Sequence, residues 1–275
     1  MRIPVLLSLA LLVFLAAACT DDRPPRPAPT EEALSAATII QTAIDRNGLA
    51  GFDSTAVSFR FRDKRYRYQR LNGRYAYERW WQDTTSGERV RDVLTNEGLT
   101  RYIDGQAVEL EEKKRKAYAN SVNSVVYFAF MPWALADPSV VAEYTGVDTV
   151  RGHPLLHLTV GFASEDPEQH TDDYEYWFDP ESYDIRYLAY SEPGHKAPRF
   201  REAYGNRSVA GFRVRDYRNY TTADKSPRYV DELAALFTAD SLRLLSVIEH
   251  DDYRREAIED RDRPMPAAWW ARYGE

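Results

Sequence analysis

Val57-Ser58-Phe59-Arg60-Phe61-Arg62, then Arg65-Tyr66-Arg67-Tyr68-Gln69-Arg70, then Leu71-Asn72-Gly73-Arg74-Tyr75-Ala76-Tyr77 run almost without a break, and their hydrophobic period is two. Alternation at that period puts successive side chains on opposite faces of a strand, so this stretch reads as strand, strand, tight turn at Asn72-Gly73, strand. The pattern spreads in both directions. Trp80 and Trp81 extend the third strand; Val90, Asp92 and Leu94 lead to a turn at Asn96-Glu97-Gly98, and Tyr102-Ile103 to another at Asp104-Gly105. Alternation resumes at Leu156, Leu158, Val160 and Phe162. It continues through Tyr174, Tyr176 and Phe178, through Ile185, Tyr187 and Ala189, and through Arg199 to Tyr204. Val209 to Tyr220 reads as one further strand with Gly211 as a bulge. Short strands joined by tight turns make an antiparallel meander of ten or so strands.

Helical spacing interrupts the meander at a few places. Thr30 to Asn47 reads as a helix capped by Thr30 and stopped by Gly48, with Ala33, Ala36, Ile40, Ala43 and Ile44 on one face. A second runs from the charged Glu111–Lys116 segment into an apolar end that Pro132 terminates, and Asp137-Pro138 is read as opening a short third helix toward Tyr144. Tyr229 to Phe237 is amphipathic, and Leu242 to Ile248 is strand-like. The expected organisation is residues 1–18 as a signal peptide, 19–29 as a tether, 30–225 as the folded domain and 226–275 as a C-terminal extension.

The signal assignment rests on the single cysteine of the 275 residues, Cys19. Arg2, an apolar run from Val5 to Ala18 and the small residues Ala16–Ala18 precede it, the order expected of a secretory signal. A cysteine directly after the small residues resembles a bacterial lipoprotein signal, which implies a lipidated Cys19 that ties the chain to a membrane. Asp21-Asp22 resembles a surface-export signal of Bacteroidota lipoproteins. Arg23 to Pro29 is a proline-rich spacer. The expected location is the outer membrane, facing periplasm or cell surface. A net charge of −7 argues against nucleic acid as a partner.

Catalytic signals are sparse. The five histidines His153, His157, His170, His195 and His250 form no ligand cluster, and neither a nucleophile elbow nor a phosphate-binding glycine loop occurs. The chain therefore reads as a non-enzyme without cofactor or metal. Asp172-Asp173 reads as a solvated acidic turn. The most organised polar stretch is Arg199-Phe200-Arg201-Glu202-Ala203-Tyr204. Arg199 and Arg201 share one strand face and Glu202 the other, so each needs a partner across the sheet, such as Asp92 or Asp216, or a ligand.

The apolar end of the second helix, Val125 to Leu135, carries large side chains on all faces; it is either filled core or the lining of an acyl cavity. Asn120-Ser121-Val122-Asn123-Ser124-Val125-Val126-Tyr127-Phe128 and Arg199-Phe200-Arg201-Glu202-Ala203, with Tyr176-Trp177-Phe178 and Asp216-Tyr217-Arg218-Asn219-Tyr220, resemble an uncharacterised family of Bacteroidota lipoproteins over about residues 33 to 222. The order of strands and helices is similar in architecture to the Lol-type lipoprotein carriers. That resemblance implies an α+β fold, a curved antiparallel β-sheet (half-barrel) with helices packed on its concave face, binding a lipid or acyl chain. Phe59, Phe61, Tyr127, Phe130, Met131 and Trp133 are the expected lining, with Arg199 or Arg201 meeting a head group. A second reading is a scaffold lipoprotein that docks an envelope protein through a strand face bearing Arg65, Tyr66, Arg67, Tyr68, Arg74, Trp80 and Trp81, and a third, less favoured, is a lipid or glycan hydrolase.

Overall fold

A computed structural model describes residues 34–163, 174–191, 197–223 and 230–258. Helix α1 (Ala36–Arg46) leads into strands β1 (Thr55–Phe61), β2 (Lys64–Leu71), β3 (Arg74–Gln82), β4 (Arg89–Thr95), β5 (Gly98–Ile103) and β6 (Gln106–Val108). Helix α2 (Glu112–Ala129) and a 3-10 turn (Trp133–Ala136) follow. Next come β7 (Val140–Val150), β8 (His153–Phe162), β9 (Tyr174–Phe178), β10 (Ile185–Tyr190), β11 (Arg199–Val209) and β12 (Phe212–Thr222). Helix α3 (Leu233–Thr238), β13 (Leu242–Ile248) and β14 (His250–Glu256) close the described chain.

All strand pairs are antiparallel and form two seven-stranded sheets. The first runs β14-β1-β2-β3-β4-β5-β6 and the second β13-β12-β11-β10-β9-β8-β7. Glu249 alone separates β13 from β14, so the chain leaves one sheet at Ile248 and enters the other at His250. The result is the expected α+β half-barrel, open rather than closed, with fourteen strands among the described residues in place of the ten or so read from sequence. Both inner faces share one core with α1, α2 and the turn after α2, including Ile39, Phe59, Tyr68, Val122, Phe130, Leu158 and Tyr176. The second sheet is also covered outside, where Phe237 and Leu233 of α3 pack on Trp177, Tyr187 and Phe200. This explains why all five residues of β9 are buried. Among the described residues no helix is long and apolar enough to cross a membrane.

Several local expectations are corrected. The cap of α1 is Ser35, whose hydroxyl accepts from the Thr38 amide at 3.1 Å; Thr30 lies outside the described residues. The segment from Val140 is a strand, not a helix, because Val140, Ala142 and Tyr144 alternate with the more exposed Val141, Glu143 and Thr145. Gly211 is not a bulge. With Ala210 it turns the hairpin between β11 and β12 at φ of 83° and 51°, values that favour a two-residue turn. The stretch set apart as a C-terminal extension supplies β13 and β14, which pair with β12 and β1. The proposed docking face does not exist as one surface: Tyr66 and Tyr68 point into the core, while Arg67 and Trp80, also buried, are on the opposite side.

Candidate functional site

The inner wall divides the predicted residues by burial. Phe59 and Phe130 are 0% and 1% exposed. Phe59 lies 5.4 Å from Tyr66, 5.5 Å from Phe130 and 5.3 Å from Tyr253, ring centre to ring centre. Phe130 meets Phe52 at 5.3 Å and Tyr68 at 4.9 Å. Met131 is buried in the same cluster. These three are enclosed by protein side chains, and a ligand would reach them only by displacing those neighbours. Trp133 is half-buried at the rim, with the Arg70 guanidinium 4.8 Å over its ring. Phe61 is half-buried, 4.8 Å from the His250 ring.

Tyr127 belongs to a different group, packed on the second sheet. Its ring lies 6.2 Å from Tyr174 and 6.4 Å from Phe162, and its hydroxyl is 3.2 Å from that of Tyr176. Burial, together with the Tyr127 phenol, holds Tyr176 well above the usual tyrosine range, so this pair shares a neutral hydrogen bond. The next helix residue, Phe128, packs 5.3 Å from Tyr190, which stacks on Tyr174 at 5.4 Å. The resulting floor of Tyr174, Tyr176 and Tyr190 comes from alternate residues on the neighbouring strands β9 and β10, and α2 lies over it. Phe128 was not among the predicted lining residues. Its place one residue after Tyr127, in the all-round apolar helix end, was the available signal.

The two arginines part company. Arg199 is tied to the end of its strand, donating to the Ala197 carbonyl, to the Pro198 carbonyl at 3.3 Å and to the Thr221 hydroxyl at 3.2 Å. Arg201 pairs across the sheet with Leu188 and Asn219 and enters the aromatic floor. Its guanidinium carbon sits 3.7 Å from the centre of the Phe128 ring, and Nη2 donates to the Tyr190 hydroxyl at 2.7 Å. Neither partner named for it from sequence takes that role. Asp92 is held by Arg79 and Arg101, Asp216 by Arg207, and Glu202 lies opposite Arg218.

The middle of α2 is fixed by polar contacts. Asp92 is fully buried between Arg79 at 2.8 Å and Arg101 at 2.6 Å. Arg79 also donates to Ser121 at 2.7 Å, and Arg101 stacks 3.7 Å from the Tyr118 ring. A cleft of about 430 Å³ opens at Val141, Glu143, Thr159, Tyr174, Glu175 and Asp231; it shares Tyr174 with the floor and contains none of the predicted lining residues. Cys19 and Asp172-Asp173 lie outside the described residues.

Fold and site together define an open antiparallel half-barrel with an aromatic inner floor and a helix laid across it. The chain belongs to the DUF6503 family, a family of unknown function, whose sequence profile matches residues 32–250. No curated protein matches it in sequence. Among solved structures it is similar to a LolA superfamily protein from Nitrosomonas europaea, with 10% identity, a TM-score of 0.47, and coverage of 83% of this chain and 97% of that one. It is also similar to a structure described as an outer membrane lipoprotein-sorting protein domain, from Vibrio parahaemolyticus, with 8% identity, a TM-score of 0.43, and coverage of 82% and 94%. A DUF1329 family protein from Desulfovibrio piger gives 9% identity, a TM-score of 0.37, and coverage of 82% and 94%.

Proposed function

We propose that this protein is an envelope lipoprotein, tethered through Cys19, that binds an apolar ligand, a lipid or an acyl chain, between the second half of α2 and the aromatic floor of the second sheet. The observation that supports this reading is the incomplete burial of α2. Of its 18 residues only Val122 and Val126 are buried, while Val125, Tyr127, Phe128 and Ala129 are half-buried against the core. A helix with that much apolar surface unspent gains by covering a hydrocarbon chain. The gain is about 0.8 kcal/mol per buried CH₂, enough to drive binding without specific polar chemistry. Shifting the end of α2 beyond Ser121 breaks contacts of two buried valines, a few rings and the Tyr127–Tyr176 hydrogen bond, a smaller loss than opening the closed cluster around Phe59 and Phe130.

The uncharged fluorescent probe N-phenyl-1-naphthylamine tests the reading. The folded protein is expected to bind it saturably and to release it when hexadecanol is added. Phe128→Ser and Tyr127→Ser are expected to weaken binding by about tenfold each while circular dichroism stays unchanged. Absence of saturable binding to the folded protein overturns the proposal, as does binding that both substitutions leave intact.

A further inference from the structure

Resting on the proposed apolar slot, we infer that its ligand is an amphiphile with an anionic end, a long-chain carboxylate or phosphate monoester, and that Arg201 is the seat of that end. Arg201 is 7% exposed and lies among Phe128, Tyr190 and Leu188. A guanidinium keeps its charge in any protein environment, and an uncompensated buried charge is costly. Elsewhere the chain meets that cost with carboxylates: Arg67 has Glu78, Arg79 has Asp92, and Arg215 has Asp184. Among the described residues no carboxylate pairs with Arg201.

What Arg201 has instead leaves it half-used. The face of the guanidinium is covered by Phe128, a cation–π contact that restores only part of the lost hydration. Nη2 is committed to the Tyr190 hydroxyl, and Nε is buried with no hydrogen-bond partner. Arginine's planar fork of N–H groups is the geometry that receives two oxygens of one carboxylate or phosphate. Directly across the sheet, Asn219 is also buried and its Oδ1 has no partner, while its Nδ2 bonds the Ser246 hydroxyl at 3.2 Å. Turning that amide over keeps the Ser246 bond, with the hydroxyl now donating, and gives the row holding Arg201 a second free N–H donor. Phe128 ties the parts together: it is the lid over the guanidinium and a wall of the apolar slot, so a chain running along α2 from Arg201 passes Tyr127 and Phe162. The 430 Å³ cleft is no rival seat for an anion, because Glu143, Glu175 and Asp231 line it.

The test is competition for the bound naphthylamine probe at a pH where palmitate is ionised, using palmitate, hexadecyl phosphate and the uncharged hexadecanol. Wild type is expected to favour the two anions over the alcohol by about tenfold or more. Arg201→Met is expected to erase that preference while hexadecanol competes within about twofold of its wild-type strength, and Arg201→Lys to keep part of it. Equal competition by all three on wild type, or an unchanged preference in Arg201→Met, overturns the assignment. Should Arg201→Met fail to fold, a preference left unchanged in both Arg201→Lys and Asn219→Leu also overturns the bidentate seat. Inorganic phosphate alone is expected to leave the probe in place; if it competes as strongly as hexadecyl phosphate, the anion is a free ion and the amphiphile falls. Failure of the probe itself to bind refutes the apolar slot, a result distinct from binding without charge preference.

Discussion

Replacing His250 with phenylalanine is expected to remove a pH dependence that the fold imposes on itself. The imidazole is 2% exposed, packed 5.6 Å from Phe59 and 4.8 Å from Phe61, with Nδ1 unpartnered. Burial pushes it from 6.5 to about 4; Asp216 opposes the shift, and the nearby Arg201 and Arg207 add to it. The unfolded chain therefore takes up a proton near the ordinary value while the folded chain refuses it. Stability from this residue is complete above about pH 6.5, falls as pH drops through the window, and stops falling below about pH 4. The full span corresponds to about 3 kcal/mol, of which about 2 kcal/mol is lost by pH 5. Urea unfolding of wild type and His250→Phe at about pH 7.5 and pH 5 isolates the effect, because the carboxylates titrate in both. The account predicts that the variant gains about 2 kcal/mol on wild type between these pH values. Parallel losses in the two proteins would refute it.

Asp92→Asn strands the buried Arg79 guanidinium and the half-buried Arg101, and is expected to cost about 3 kcal/mol in urea unfolding. It should also raise amide exchange in α2, which Arg79 and Arg101 hold through Ser121 and Tyr118; unchanged exchange would show that the network does not anchor the helix. Gly48→Ala is expected to lose more than about 1 kcal/mol, since φ is +70° and a Cβ there would lie 2.5 Å from the Gly211 carbonyl oxygen. An unshifted urea midpoint would mean that the end of α1 does not pack on the β11–β12 turn as described. Ser35→Ala, which removes the cap of α1, should cost about 1 kcal/mol in the same assay.

Much of this architecture could be read from residue order alone, for an identifiable reason. Period-two alternation survives in almost every strand because one face of each sheet is core, and the hairpin turns carry residues such as Asn72-Gly73 and Asp104-Gly105 that take positive φ. The segment from Asp137 toward Tyr144 reads as a helix because Asp137-Pro138 imitates a helix start, although the alternation from Val140 onward decides otherwise. Leu242 to Ile248 was legible as a strand, but β14 was not: it joins the other sheet after Glu249 alone, a long-range fact with no local signature. The site was legible in part. Alternation separates Arg201 from Glu202 and places Arg201 with Arg199, but only the tertiary packing shows that Arg199 finds carbonyls while Arg201 finds aromatic rings. The same alternation separates Tyr66 from Arg67, so pooling them on one docking face went against a rule already visible in the sequence.

Native mass spectrometry of the protein purified without detergent tests the central claim most directly. The account predicts a population heavier than the polypeptide by the mass of a single-chain or double-chain acyl species, diminished in Phe128→Ser. Bare polypeptide in every preparation, with the protein folded and the naphthylamine probe unbound, would contradict it.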